Sequence, residues 1–356
     1  MAAFGRLLLA LVALLLAFPA FAQSELIEEK LNQFLAEQQV EGAAFWAHVD
    51  GTTFEVSVGY ADRDKQIETT AKTRFYIASS GKMMTAAAIL RHAERGKLQL
   101  DGRAWPHIKD LDNIEQLENA DQVTIRQLLQ HTSGLAEYLT DDFIDESMAI
   151  PIKRWSPAEA LTFAYDEPAA FAPGTDFEYT NTNYVLLGHI LAQLDGSLEQ
   201  SLEKHIFRNA GMTASTVGAN AREKNLAHGY DISGADASQM AWASTLGDGP
   251  VVTTAADLGR FLRVLFESQS ILTPDMLAQM RTGSPSNPSY GLGIGIESDR
   301  WGVWLGHSGA YEGYESFERH DPEHDATLVL LINGNPINES YFLGVAADML
   351  FEITSR

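Results

Sequence analysis

Apolar positions recur along this chain with two periods, and the two periods occupy different regions. Leu26, Leu31, Phe34 and Leu35 fall at helical spacing and predict a helix over Glu25 to Gln38. Two runs, Gly42 to Val49 and Thr53 to Gly59, then read as strands around Asp50-Gly51, a pair suited to the tight turn of a hairpin. An extended run, Thr73 to Ala78, meets a helix over 80–95 that stops at Gly96.

The next 150 or so residues are mainly helical with long connections. Thr124 caps a helix through Leu129, and Ser156-Pro157-Ala158-Glu159 is a helix start with proline first and glutamate third. Thr182 to Leu194 carries Val185, Leu186, Ile190 and Leu194 at helical spacing, and Thr254 opens a helix through Phe266. Strands return at Tyr290 to Glu297, Val303 to Leu305, Ser316 to His320 and Ala326 to Ile332, the last two joined by a turn at Asp321-Pro322-Glu323-His324. A final helix is expected from Ser340 to about Glu352. Strands at both ends with helices between them predict one sheet built from both termini and covered by the terminal helices. A helical lobe is inserted after the helix at 80–95, and a cleft between lobes is a common ligand site.

Composition changes this picture in two places. Residues 1–22 separate from the fold: Arg6, the apolar run Leu7 to Phe18 and Ala20-Phe21-Ala22 read as a cleaved secretory signal, with Gln23 beginning the mature chain. A periplasmic or secreted protein with no stable membrane anchor after cleavage is expected. The 48 acidic and 25 basic residues make a formal net charge of −23, which disfavours nucleic acid and anionic membranes as partners. There is no cysteine, so disulfides and cysteine metal sites are excluded. The cluster Asp141, Asp142, Asp145 and Glu146 reads as a solvated loop; it lacks the spacing and central glycine of a calcium loop.

Three constellations carry candidate chemistry. Ser79 and Lys82 stand three residues apart at a helix start, so both lie on one face and the lysine can reach the hydroxyl. A serine needs a neighbouring base to become a nucleophile, and a helix start offers unpaired N–H groups for an oxyanion. A capping serine with a solvated lysine has the same spacing. Gly81 argues against that, because glycine inside a helix costs about 1 kcal/mol relative to alanine and suggests close packing at the turn. Tyr179-Thr180-Asn181 is the second: Tyr179 can relay a proton beside a cation, and Asn181 can hold a substrate carbonyl and position Lys82. A loop tyrosine with a capping asparagine is the alternative. Gly306-His307-Ser308-Gly309-Ala310 is the third, rich enough in glycine for a substrate to lie against the backbone, with His307 available to bind substrate or stabilise charge. It nearly matches G-x-S-x-G, but Ala310 ends the match and no helix start follows, so Ser308 is rejected as nucleophile.

Phe75-Tyr76-Ile77-Ala78-Ser79-x-x-Lys82, Tyr179-x-Asn181 and His307-x-Gly309 together resemble the serine β-lactamase and penicillin-binding (DD-peptidase) superfamily. The likeness is to class C β-lactamases, D-alanyl-D-alanine carboxypeptidases of the His-x-Gly type and related esterases. Gly96-Lys97-Leu98-x-Leu100-Asp101, His131-Thr132-Ser133-Gly134-Leu135, Tyr290-Gly291-Leu292-Gly293 and Asp321-Pro322-Glu323 strengthen it, over roughly residues 40–353. The resemblance implies an α/β (α+β) fold: an antiparallel sheet flanked by helices plus a mostly helical lobe. Within a single catalytic domain, 23–356, the α/β lobe would take about 23–78 and 255–356, and the helical lobe about 79–254.

The resemblance also implies roles. Ser79 would be acylated, Lys82 and Tyr179 would activate it and move protons, and Asn181 would contact substrate and Lys82. The N–H groups of Ser79 and Ala310 would form the oxyanion pair. Neither metal nor cofactor is required. One departure matters: class C β-lactamases usually carry Lys-Thr-Gly where this chain has His307-Ser308-Gly309. A lysine is a fixed cation for a substrate carboxylate, whereas histidine is charged part of the time near neutral pH. The balance moves toward a peptidase or esterase acting on a peptide or small molecule. A dedicated class C-type β-lactamase and a non-catalytic binding protein are the alternatives. The oligomeric state is open.

Overall fold

A computed structural model describes residues 22–299 and 302–336. The expected terminal helix at Ser340 and most of the signal segment lie outside them. The chain opens with helix α1, residues 22–38. The hairpin follows as β1 (Gly42–Val49) and β2 (Thr52–Asp62), with Asp50 and Gly51 both at positive φ, +49° and +74°. That pair of left-handed residues is what a two-residue hairpin turn demands. Two short strands follow, β3 (Ile67–Glu68) and β4 (Phe75–Tyr76). A tight turn over Ala78–Gly81 then leads into α2 (Lys82–Glu94).

The middle of the chain supplies α3 (Ile125–Leu129), α4 (Asp141–Ala149), α5 (Pro157–Leu161), α6 (Thr182–Asp195), α7 (Leu198–Leu202), α8 (Arg208–Ala210) and α9 (Ser238–Ala243). Thr124 and Ser156 form reciprocal caps with Gln127 and Glu159 at the starts of α3 and α5. The acidic cluster is not a loop but belongs to α4: Thr140 caps its N-terminus, and Asp141 and Asp142 sit in the first turn. Negative charge there is favoured by the helix dipole, a signal that outweighs the local polarity. The short strands β5 (Thr216–Val217) and β6 (Val251–Thr253) join β4 in a three-stranded sheet of order β4-β6-β5.

After α10 (Ala255–Phe266) and α11 (Pro274–Met280) the chain returns to the main sheet. It adds β7 (Gly295–Asp299), β8 (Gly302–Tyr311), β9 (Tyr314–Asp321) and β10 (Ala326–Ile332). The seven strands run β3-β2-β1-β10-β9-β8-β7, with every neighbouring pair antiparallel. The two ends of the chain meet where Phe45 pairs Leu330. Two strand expectations shift. The predicted Tyr290–Glu297 strand shortens to start at Gly295, since Gly293 turns the chain at φ +80°. The predicted Val303–Leu305 strand extends to Tyr311 and carries the His307-x-Gly309 segment within it.

Strand alternation divides the core. Phe45, Ala47, Leu328 and Leu330 face α1, where Ile27, Leu31 and Phe34 pack on them. Ala44, Trp46, Val329 and Leu331 face the other way, into the larger core with α2, α6 and α10. Each such fully buried large side chain contributes about 1.5–3 kcal/mol. Gly259 lets α10 lie directly on Trp46, since a Cβ there would stand 2.2 Å from the indole.

Three buried titratable groups outside the cleft set a pH optimum. Burial pushes His205 down to about 4, despite its bond to Asp195. His320, stacked on Phe266 and bonded to Thr327, is likewise pushed down to about 4 by burial. Burial raises Glu318 to about 8, against the opposing pull of Ser80 and the Arg319 charge. Between about pH 6.5 and 4 the unfolded chain binds two histidine protons that the native state refuses, so these histidines destabilise as pH falls, at about 1.4 kcal/mol per unit each. Glu318 acts oppositely: the native state keeps a proton that the unfolded chain releases above about 4.5, so stability falls as pH rises toward 8. Thermal unfolding is expected to peak near pH 6.5. Glu318→Gln should flatten the alkaline side and keep the acid fall. A wild-type Tm that climbs steadily from pH 6.5 to 8 contradicts this.

Candidate active site

The Ser79 turn is strained and clamped. Ala78 is buried at φ +44°, a conformation costing about 1–3 kcal/mol for a residue with a Cβ. The turn it begins has three residues per turn, which eclipses positions i and i+3 and stacks Lys82 over Ser79. Ser80 Oγ lies 2.7 Å from Ser316 Oγ, and Ser316 donates to the Ile77 carbonyl at 2.9 Å, so β9 holds the turn in place. On the other side a Cβ at Gly81 would meet Pro250 at 3.1 Å, the close packing that the glycine implied. β8 presses on the same turn: a Cβ at Gly309 would lie 2.2 Å from the Ile77 carbonyl and 2.9 Å from Ser79 N.

Lys82 is fully buried, and its three hydrogens have three acceptors. Nζ donates to Ser79 Oγ at 2.9 Å, Asn181 Oδ1 at 2.7 Å and the Asp248 carbonyl at 2.7 Å. Asn181 begins α6 but caps nothing with its side chain, so its amide is free for Lys82. Glu137 orients that amide by accepting from Asn181 N at 2.7 Å and Nδ2 at 3.1 Å, which turns Oδ1 toward the lysine.

Tyr179 meets Lys82 through its ring, 5.0 Å from Nζ; the Tyr184 ring lies 5.7 Å away. His131 stacks on Tyr179 at 4.2 Å and accepts from Thr180 N at 3.2 Å, so it orders the Tyr179 loop. Burial holds His131 well below the usual histidine range, with the Lys82 charge adding to it. Its neutral ring is therefore an acceptor and a stacking plane. His307 stands on β8 with Nε2 3.1 Å from Tyr290 Oη. Desolvation, then the Lys82 charge, push it down to about 3. Both effects favour the neutral ring over the part-time cation that the sequence suggests.

A cleft of about 730 Å³, including its open mouth, borders Ser79, Tyr179, Asn181 and Ala310. Phe143, Trp155, Met240 and Leu246 give it an apolar wall, and Tyr138 and Tyr311 line it, whereas Tyr314 is core. The predicted residues therefore fall into layers. Ser79, Tyr179, Asn181 and Ala310 face the cavity, Lys82 lies beneath the serine, Gly309 packs behind it, and His307 stands on the strand beside them. Ser308 is exposed and meets His307 only through its backbone N–H and carbonyl. Sequence reasoning missed Glu137 and Asp248, whose contacts with Asn181 and Lys82 span 44 and 166 residues. The Asp248-Gly249-Pro250 turn is the only local hint of the second.

A serine hydroxyl in hydrogen-bond contact with a buried lysine, on an antiparallel sheet with a helical lobe, defines a serine hydrolase. The chain belongs to the Beta-lactamase family, whose model matches residues 27–350. It is 26% identical over 345 residues to the putative penicillin-binding protein PbpX of Bacillus subtilis (strain 168), covering 92% of this chain and 78% of that one. It is 27% identical to protein flp of Staphylococcus aureus (strain N315), covering 87% of this chain but 63% of flp. Among solved structures it is similar to D-amino acid amidase from Ochrobactrum anthropi SV3 complexed with D-phenylalanine: TM-score 0.77, 26% identity, 94% of this chain and 100% of that one. The octameric penicillin-binding protein homologue from Pyrococcus abyssi superposes with a TM-score of 0.78 at 27% identity, over 95% of this chain and 78% of that one.

The β8 contact makes a sharp prediction. Gly309→Ala forces a methyl group into Ile77 and Ser79, at a cost of about 1–3 kcal/mol. The displaced nucleophile should lose about 100-fold or more in kcat/KM on an ester substrate, since a misplacement near 1 Å has that effect. Kinetics beside a thermal melt check it; wild-type turnover in a folded variant contradicts it.

Proposed function

We propose that this protein is an exported serine hydrolase that cleaves an amide or ester through an acyl-enzyme on Ser79. The observation carrying the reading is the 2.9 Å contact between Lys82 Nζ and Ser79 Oγ, with the other two lysine hydrogens held by Asn181 and the Asp248 carbonyl. In the attacking state Lys82, as the free amine, takes the Ser79 proton while Oγ bonds to the substrate carbonyl. Backbone N–H groups of Ser79 and Ala310 would carry the oxyanion, each donor worth roughly 3 kcal/mol in the transition state. Collapse breaks the bond to the leaving group, which receives the proton by way of Lys82 and Tyr179. Water then attacks the acyl-serine, gives its proton back along the same groups and frees the acid.

The cleft supports an acyl donor without a carboxylate. His307 is held neutral, and the lysine bordering the cleft, Lys153, is bound to Glu159 at 3.2 Å and lies over Trp155 at 3.4 Å. Amides and esters are thus preferred over β-lactams and over peptides recognised by their C-terminal carboxylate. The similarity to a D-amino acid amidase points the same way. Export rests on the N-terminal apolar run, and N-terminal sequencing of the mature protein is expected to begin at Gln23.

Ser79→Ala should abolish turnover of p-nitrophenyl esters and the mass adduct that a fluorophosphonate leaves on the wild type. Short-chain ester hydrolysis should exceed nitrocefin hydrolysis. Full activity in Ser79→Ala, or a wild type that takes no adduct, would sink the proposal; nitrocefin as the far better substrate would return the protein to a dedicated β-lactamase.

A further inference from the structure

We propose that Asp248 is the docking point for a cationic amine on the acyl half of the substrate. This makes the preferred substrate an α-amino acyl amide or ester with its amine free. The inference rests on the reading that Ser79 is the acylated residue.

Asp248 sits in a segment that cannot move far. A Cβ at Gly247 would stand 2.3 Å from the Tyr184 carbonyl, and one at Gly249 would stand 2.9 Å from the Ala78 carbonyl. The segment is wedged between α6 and the nucleophile turn. The Asp248 main-chain carbonyl accepts from Lys82, so a single lysine separates this residue from the Ser79 hydroxyl. The residue lines the same cleft as Ser79 and Asn181.

The carboxyl group is half used. Oδ2 accepts from Tyr138 Oη at 2.8 Å, while Oδ1 is buried and has no partner. The neighbouring groups that could have answered it are committed. Lys82 spends its three hydrogens on neutral acceptors, and Lys153 is turned to Glu159 and Trp155. Leaving a buried carboxylate oxygen unmade costs at least as much as losing a hydrogen bond, and a bound donor relieves that cost. An ammonium brings three donors and a charge. In an α-amino acyl group the amine stands one carbon from the reacting carbonyl, and Asp248 and Ser79 line one cleft, so a single acyl group is the piece that would meet both. The apolar wall of Phe143, Trp155, Met240 and Leu246 then takes the side chain.

The experiment compares D-phenylalanine p-nitroanilide with its N-acetyl derivative, in the wild type and in Asp248→Asn. The asparagine keeps the shape and the acceptor for Tyr138 but loses the charge. The wild type is expected to favour the free amine, and Asp248→Asn is expected to lower that preference at least 30-fold, mainly through KM. Equal losses on both substrates, or a wild type indifferent to the amine, overturn the proposal. Should the variant not fold, wild-type protein settles it: D-phenylalaninamide should protect Ser79 from fluorophosphonate at far lower concentration than N-acetyl-D-phenylalaninamide, and equal protection overturns the proposal. Failure of the Ser79 reading looks different, because the wild type would then hydrolyse no p-nitrophenyl butyrate and take no label.

Discussion

The site depends on one buried amine. Lys82 lies wholly inside the protein, and its position is set by three short hydrogen bonds to three separate parts of the chain: the Ser79 turn, the start of α6 at Asn181, and the segment at Asp248. An amine taken out of water must have every hydrogen met, so these segments are constrained to converge. Moving any one of them leaves a donor bare in the interior. The lysine is thus the tie between the helical lobe and the Ser79 turn.

Such convergence requires backbones to approach more closely than side chains normally permit. Gly309 admits β8 against Ser79, Gly249 admits the Asp248 segment against Ala78, and Gly81 admits Pro250. The residue that adapts by strain is Ala78, held at φ +44° by contacts on both sides. Ser316 of β9 bonds to Ser80 and to the Ile77 carbonyl, so the large sheet bears on the strained turn directly. This explains why Ser79 sits on a tight turn before α2 and not within the helix. A regular helix would carry Ser79 away from β8.

Local pattern made most of this visible in the sequence, and long-range contact hid the rest. The Asp50-Gly51 hairpin, the caps at Thr124 and Ser156, and the strand Ala326–Ile332 follow from residues within a few positions of one another. Ser79 and Lys82 were legible because a spacing of three survives in either kind of tight helix. The small sheet was not legible, since β4, β5 and β6 have only two or three residues each and exist through pairing with one another. Nor did the glycines of β8 announce a strand, because glycine is a poor strand former and is present there for the approach to Ser79. Glu137 and Asp248 look like ordinary surface acids in the sequence. Only the fold sets one on Asn181 and the other on Lys82.

Charge is where the fold alters the reading most. A histidine in the third motif suggests a part-time cation, but a ring beside Lys82, desolvated and paired with Tyr290, stays neutral. Loss of water around the ring disfavours its charged form most, and the Lys82 charge adds to that. The same electrostatics act on Asp248: burial favours its protonated form, while Lys82 pulls toward the ionised one. A cleft with one committed lysine, a neutral histidine and a half-satisfied carboxyl offers little to a negative substrate. His307 on β8 and Asp248 are therefore parts of one electrostatic setting, organised around the amine beneath Ser79.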